Sequence, residues 1–322
     1  LKKIVTLLGS VALLSVGIVL TIPSITSALD NKAEAENHIY EASNHLTKHT
    51  AFKEREKIEI DYSLVDPRDN SFVMDLDSLR DESVDYEAQV RKLVSELAQK
   101  YDQPMIPRKL NDQGEILPGQ SRVVLDESEL LTRLLQEPTL FGKNIELPLT
   151  EDAPNVTTES IQGIESHVIS SYTTSFNPNV KGRTTNIALS AAEINDIVLG
   201  PGDRFYFNTI VGNATKDKGY QLAPVIINKQ YSEDYGGGVC QTSSTLYNAV
   251  DQAGLEILEL HHHSKEVGYV PLGRDATIAY GGKDFKFMNN KEYPVLIRTI
   301  IDQQAGTLEV QVRAGVQEVA SN

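Results

Sequence analysis

The chain has 322 residues, 40% hydrophobic and 23% charged, a globular composition long enough for about two domains. Its formal net charge of −15 argues against nucleic acid, or any anionic polymer, as a generic partner. Neutral or locally recognised ligands stay open. Lys2 and Lys3 precede an apolar run, residues 4–22, that carries no charged side chain. Its length is at the lower edge of the roughly 20 residues that cross a bilayer. It equally suits a signal-peptide core, with Thr26-Ser27-Ala28 as a small-residue cleavage site. Residues 1–29 are therefore expected to be a signal peptide or a membrane anchor. Either way the basic flank puts the remainder outside the cytoplasm, with membrane contact through this segment if it stays uncleaved.

Residues 30–50 are polar and read as a connector. A small α+β module is expected over 52–148, with strands at 57–64 and 71–79. Val90, Leu93, Val94, Leu97 and Tyr101 repeat at helical spacing and predict a helix over 86–101. The turn-rich run DQGEILPG (112–119) leads to a strand at 121–125, and Asp126 is placed to cap a helix over 127–136. No spaced nucleophile and base occurs in this half, which reads as a binding or spacer module. Residues 149–162 have linker composition, polar and without apolar periodicity.

From 163 to 314 short strands dominate. They are expected at 166–176, 204–208, 223–227, 255–260, 266–270, 276–280, 285–288, 294–301 and 307–313. Helices are expected over 184–195 and from Cys240 to Ala253. With few crossover helices, the pattern implies α+β with a mostly antiparallel sheet and two helices. Phe285 and Phe287 alternate as one buried face, and Tyr280-Gly281-Gly282 reads as a turn.

The chemistry concentrates in GGGVCQTSSTLYNA (236–249), where three glycines run into the only cysteine of the chain. Cys240 then opens a helix, and exposed N–H groups at a helix start lower a thiol pKa. An exported protein with one cysteine has no disulfide partner within the chain, so Cys240 is either a buried small hydrophobe or a thiol kept for reaction. Downstream, His261, His262 and His263 follow the alternating LEILEL (255–260), and Asp275 lies in YVPLGRDATIAYGG (269–282). On a strand, His261 and His263 would share one face. The order Cys, His, Asp suits a nucleophilic site in which His263 (or His261) takes the proton of Cys240 and Asp275 orients the imidazole. A metal site built from the two imidazoles with Asp275 or Cys240 is a second reading, but no HExxH or CxxC spacing accompanies it. A third is a ligand nest: backbone N–H groups of Gly236, Gly237, Gly238 and Gln241, with the hydroxyls of Thr242, Ser243 and Ser244, facing a carboxylate or phosphate. No lysine precedes the hydroxyl pair, so the run is not a nucleotide P-loop. No metal or cofactor is expected.

The runs SSYTTSFN (170–177), GRTTNIALSAAEIND (182–196), GPGDRFYFN (200–208), GGGVCQTSSTLYNA (236–249), HHHSKEVGYVPLGRDATIAYGGKDFKFMNN (261–290) and YPVLI (293–297) together resemble the VanW family, named after an accessory protein of vancomycin-resistance clusters. His261, His263, Ser264, Tyr269, Pro271, Gly273 and Asp275 fall on the family pattern, while His262 stands where the family often has proline. Residues 86–135 resemble, more weakly, the peptidoglycan-binding-type domain that often precedes VanW in Gram-positive envelope proteins. The resemblance implies a protein on the outer face of the membrane or in the cell wall, bound to peptidoglycan or its stem peptides. It implies an accessory role in wall maintenance or glycopeptide resistance. The alternative is a cysteine-dependent peptidoglycan amidohydrolase or acyl-transferase using Cys240, His263 and Asp275.

Overall fold

Helix α1 (Tyr86–Tyr101) forms where apolar residues recur along one stripe, and Val90, Val94, Leu97 and Ala98 are its buried positions. Asp85 caps it by accepting the N–H of Glu87. Helix α2 (Glu127–Leu135) begins at Asp126, whose Oδ1 accepts the Glu129 N–H at 2.9 Å. Leu130 and Leu134 of α2 meet Val90, Val94 and Leu97 of α1 in one apolar cluster with Leu64, Leu125 and Leu147. The same stretch forms two small sheets. β1 (Ser63–Asp66) lies between β2 (Ser71–Asp75) and β6 (Ile145–Glu146), and β5 (Arg122–Leu125) pairs with β7 (Leu149–Asp152).

This computed structural model describes residues 63–76, 85–136, 144–227 and 230–315, all within one unit spanning Ile60–Asn322. The apolar run 4–22, the connector 30–50 and most of the expected strand 57–64 lie outside the described residues. Among the described residues no helix is long and apolar enough to cross a membrane.

A six-stranded antiparallel sheet organises the rest. Its order is β4 (Ile116–Leu117), β3 (Arg108–Leu110), β9 (Ile197–Leu199), β15 (Val295–Asp302), β16 (Thr307–Ala314) and β8 (His167–Ser175). Leu308, Val310, Val312 and Ala314 of β16 are fully buried and their neighbours are not, the period of two that places one face on a core. β3 pairs Arg108 with Val198 and Lys109 with Ile197, so residues on both sides of 149–162 share this sheet. The stretch expected as linker carries β7 and the buried Val156.

Helices α3 (Lys181–Ile194) and α5 (Val239–Gln252) pack on the sheet, α3 against β15 and α5 against β8 and β16. Gly254, at φ 71°, ends α5: its N–H bonds to Asp251 O and that of Leu255 to Val250 O, a paired closure that satisfies the last carbonyls. A second sheet, β10 (Arg204–Tyr206), β14 (Lys286–Met288) and β13 (Glu256–Glu259), supplies the aromatic part of the core. Phe205 stacks on Phe287 with ring centroids 4.7 Å apart, and Phe285 meets Tyr247 of α5 edge-on at 5.7 Å. Burying each such ring stabilises the fold by about 1.5–3 kcal/mol. Beside these lies a separate hairpin, β11 (Leu222–Ile227) with β12 (Gln230–Tyr235).

The architecture is α+β with mostly antiparallel sheets, as the pattern of elements implies. Several details differ, and β9 and β12 form where no strand was expected. The strand expected over 204–208 stops at Tyr206, and a short helix α4 (Phe207–Val211) follows, its Asn208 N–H accepted by Asp284 Oδ1 at 2.9 Å. The second half thus has a short helix besides the two expected. Residues 266–270 and 276–280 form no strand, and around Ala276 the polar backbone is taken up one group at a time. Thr277 N–H bonds to His261 O, and the carbonyls of Arg274 and Ala276 accept from Asn248 and Ser243 of α5.

Candidate active site

Gly238, at φ 119°, is the residue before α5, a backbone state that disfavours any side chain. One step earlier, a Cβ on Gly237 would meet the carbonyl oxygens of Ala223 and Pro224 at 2.6 and 2.7 Å. The glycines thus let the hairpin β11–β12 lie directly against the start of α5. Asn186 of α3 locks the contact. Its Nδ2 donates to Gln221 O and Gly237 O, both at 2.9 Å, and its Oδ1 accepts the Gln221 N–H at 2.7 Å. The result is a cleft of about 710 Å³ with Cys240 in its wall.

Cys240 is partly buried, and the structure brings it together with His263 and Asp275. The Cys240 thiol and the His263 imidazole line the same cleft, close enough for each to shift the other's ionisation. On the far side of the ring, His263 Nδ1 lies 2.7 Å from Asp275 Oδ2, and the same oxygen accepts the His263 backbone N–H at 2.6 Å. With Nδ1 committed to the carboxylate, Nε2 is the nitrogen left for the thiol. Sγ also lies 3.9 Å from Thr277 Oγ1 and 3.7 Å from Ile278 O.

The electrostatics follow from these contacts. Burial pushes the Cys240 thiol up, but the hydrogen bond from His263, a backbone hydrogen bond at Ile278 and the pull of the imidazolium outweigh it. The thiol therefore ionises below its ordinary range. Burial pulls His263 down, and its hydrogen bonds and charge attraction to Cys240 and Asp275 more than reverse this. Burial raises Asp275, and the bonds from the His263 N–H and ring hold it below the usual carboxylate value. All three shifts favour the charged forms, a thiolate, an imidazolium and the carboxylate that anchors it.

His261 goes elsewhere. The strand ends at Glu259, and His261 Nε2 lies 2.8 Å from Glu259 Oε1, so it does not share a face with His263 in the cleft. Burial raises that carboxylate, but Lys286, the Asp284 N–H and His261 hold it at about 2. His262 Nδ1 sits 2.9 Å from Asp275 O and 3.1 Å from Oδ1. A metal shared by His261, His263 and Asp275 would need all three together, and among the described residues no three His, Cys, Asp or Glu are placed to hold one.

The ligand nest needs correcting. Gly236, Gly237, Gly238 and Gln241 line the cleft, but Thr242, Ser243 and Ser244 are fully buried and spend their hydroxyls inside. Thr242 Oγ1 bonds Ser190 Oγ at 2.7 Å, Ser243 Oγ donates to Ala276 O at 2.6 Å, and Ser244 Oγ donates to Cys240 O at 2.7 Å. Ser244 also accepts the Ala276 N–H at 2.9 Å, which fixes the chain segment next to Asp275. A helix 0–1% exposed along this run must pair its polar groups within the protein, so they position the loop.

Sequence reasoning also passed over Arg183. It sits in the first turn of α3, lines the cleft, donates from Nη2 to Gln241 Oε1 at 2.7 Å and lies 5.7 Å from the Tyr269 ring centre. The first turn of α3 contains no acidic residue, and that was the available signal.

Comparison with known proteins bears on the same residues. The VanW like protein family profile matches residues 182–312. Protein YoaR of Bacillus subtilis is 41% identical over 218 residues, covering 67% of this chain and 71% of that protein. The chain belongs to the VanW family. The vancomycin B-type resistance protein VanW of Enterococcus faecalis is 28% identical over 129 residues, 38% of this chain and 47% of that protein. No solved structure matches. The VanW match takes in Arg183, Asn186, Cys240, His263 and Asp275. It begins after β8, yet β8 supplies Thr174 and Ser175, which hold the Gln241 amide at 3.0 and 3.1 Å. The site of this VanW protein therefore depends on residues upstream of the family match.

Proposed function

We propose that this VanW-family protein is a cysteine-dependent acyl-transferring enzyme of the bacterial cell envelope that opens an amide bond in peptidoglycan stem peptides. The observation that carries the reading is the His263 imidazole, held by Asp275 and electrostatically coupled to the Cys240 thiol, at the wall of a cleft. The Cys240 thiolate attacks the amide carbonyl carbon, and the C–O π pair moves onto oxygen. The Cys240 N–H, which has no backbone acceptor among the described residues, is free to serve that oxyanion as a donor. His263 then gives its proton to the leaving nitrogen, the C–N bond breaks and a thioester remains. A water or amine attacks the thioester, His263 takes its proton, and the thiolate is released.

The substrate class is supported by the relative named as a vancomycin B-type resistance protein, which associates this family with vancomycin resistance and hence with the wall. An apolar run behind two lysines supports a location on the outer face of the membrane or in the wall of a Gram-positive bacterium. Recognition of peptidoglycan without turnover needs no titratable chain behind the thiol, so the chain favours turnover. Incubating the purified protein with muropeptides and following products by mass spectrometry tests this. Products with the native protein and none with Cys240→Ser are expected. Binding retained, with equal absence of products from both, would return the protein to an accessory binding role.

A further inference from the structure

Arg183 is a largely buried guanidinium with no carboxylate partner among the described residues. Its neighbours are the Gln241 side-chain oxygen, the Tyr269 ring and the charge of Cys240. Gln241 cannot swing away. Its amide nitrogen is held by Thr174 Oγ1 and Ser175 O, and it is 1% exposed. One edge of the guanidinium is thus fixed, directly after the cysteine in α5, while its other N–H donors are left for the cleft that both residues line. Arg274 and Arg122, by contrast, bond Asp251 and Asp152 within the protein. Burial lowers the Arg183 pKa, and the pull of Tyr269 and Cys240 does not offset it. Such a group is costly unless a ligand supplies the anion.

We infer that Arg183 is the anchor for a free carboxylate on the acyl donor, so that Cys240 acts on peptides carrying an unmodified carboxylate close to the scissile carbonyl. The fork of the guanidinium fits a carboxylate side-on, and Tyr269 closes the opposite face. This rests on the reading of Cys240 as nucleophile and adds the feature that selects its substrate.

Two small alkylating reagents test it without knowledge of the natural substrate. Iodoacetate carries a carboxylate one carbon from the reacting centre, and iodoacetamide is its neutral counterpart. Both consume the same thiolate, so changes in thiolate population cancel in the ratio of their rates at Cys240. The ratio should fall about tenfold in Arg183→Gln, the size of one charge-assisted hydrogen bond. In the native protein, propionate at constant ionic strength should slow iodoacetamide saturably and propionamide should not. This second measurement needs no variant to fold. A reactive Cys240 whose reagent ratio is unchanged in Arg183→Gln, or which propionate and propionamide protect equally, overturns the anchor and leaves the nucleophile standing. A Cys240 that resists both reagents overturns the nucleophile and the anchor with it.

Discussion

Asp275 holds His263 twice, through the ring at Nδ1 and through the backbone N–H, with one carboxylate oxygen at 2.7 and 2.6 Å. Backbone and side chain of the histidine are therefore fixed by a single group, and the imidazole can present only Nε2 to the cysteine. Replacing Asp275 by Asn leaves the shape but removes the charge and one acceptor arrangement. Turnover should fall by about 10²-fold or more, the usual worth of positioned acid–base catalysis. The His263 pKa, followed by NMR, should fall at the same time.

The same carboxylate makes stability depend on pH. Its folded pKa is depressed, so it contributes stability above its unfolded value of about 3.9, and that contribution is lost as pH falls through the lower folded value. The gap in Tm between native protein and Asp275→Asn should be open at pH 6 and close towards pH 2. A gap that persists unchanged in acid would mean that the carboxylate's charge contributes nothing to stability.

Cys240 should alkylate with a midpoint below the ordinary thiol value of about 8.5, because His263 favours the thiolate. In His263→Ala the midpoint should move up, since burial then acts without its main counterweight. Rates measured from pH 4 to 10 read both. Above the raised pKa of His263 the imidazolium is lost, and the paired form gives way to a free thiolate.

Asn186 is fully buried and joins α3 to both the hairpin and the glycine run. Asn186→Ala strands the Gln221 N–H and the Gly237 carbonyl, each costing about 1–3 kcal/mol. Thermal unfolding should drop by several degrees, and Cys240 reactivity should change although residue 186 touches neither the thiol nor His263.

Gly237→Ala places a Cβ against two backbone oxygens, which cannot move as a side chain would. The hairpin must shift, at about 1–3 kcal/mol. Gly114→Ala, where nothing lies within 4 Å of the new Cβ, is the comparison: it bears only the strain of a left-handed backbone at φ 78°. Cys240 alkylation should change in the first variant and stay native in the second.

Local chemistry was legible directly. The stripe Val90, Val94, Leu97 marks α1, Asp126 caps α2, and Phe285 and Phe287 alternate into the core, because each depends on neighbours within one turn or one pleat. The candidates Cys240, His263 and Asp275 were nameable from residue type, order and a glycine run. Their approach was not, because bringing together residues 12 and 23 positions apart is set by how the loop 261–285 lies on α5. That loop hid from the period-of-two pattern: its backbone is satisfied by buried hydroxyls and amides of α5 rather than by a neighbouring strand. The same tertiary demand turned Thr242, Ser243 and Ser244 inward and left Arg183, unremarkable in the sequence, at the cleft with no carboxylate partner among the described residues. Sequence by itself determined the main helices, the core-facing strands and which residue types were available for chemistry, since propensity and periodicity are local. Only the tertiary structure decided which of those residues meet, because burial makes every polar group find a partner and the fold chooses which one.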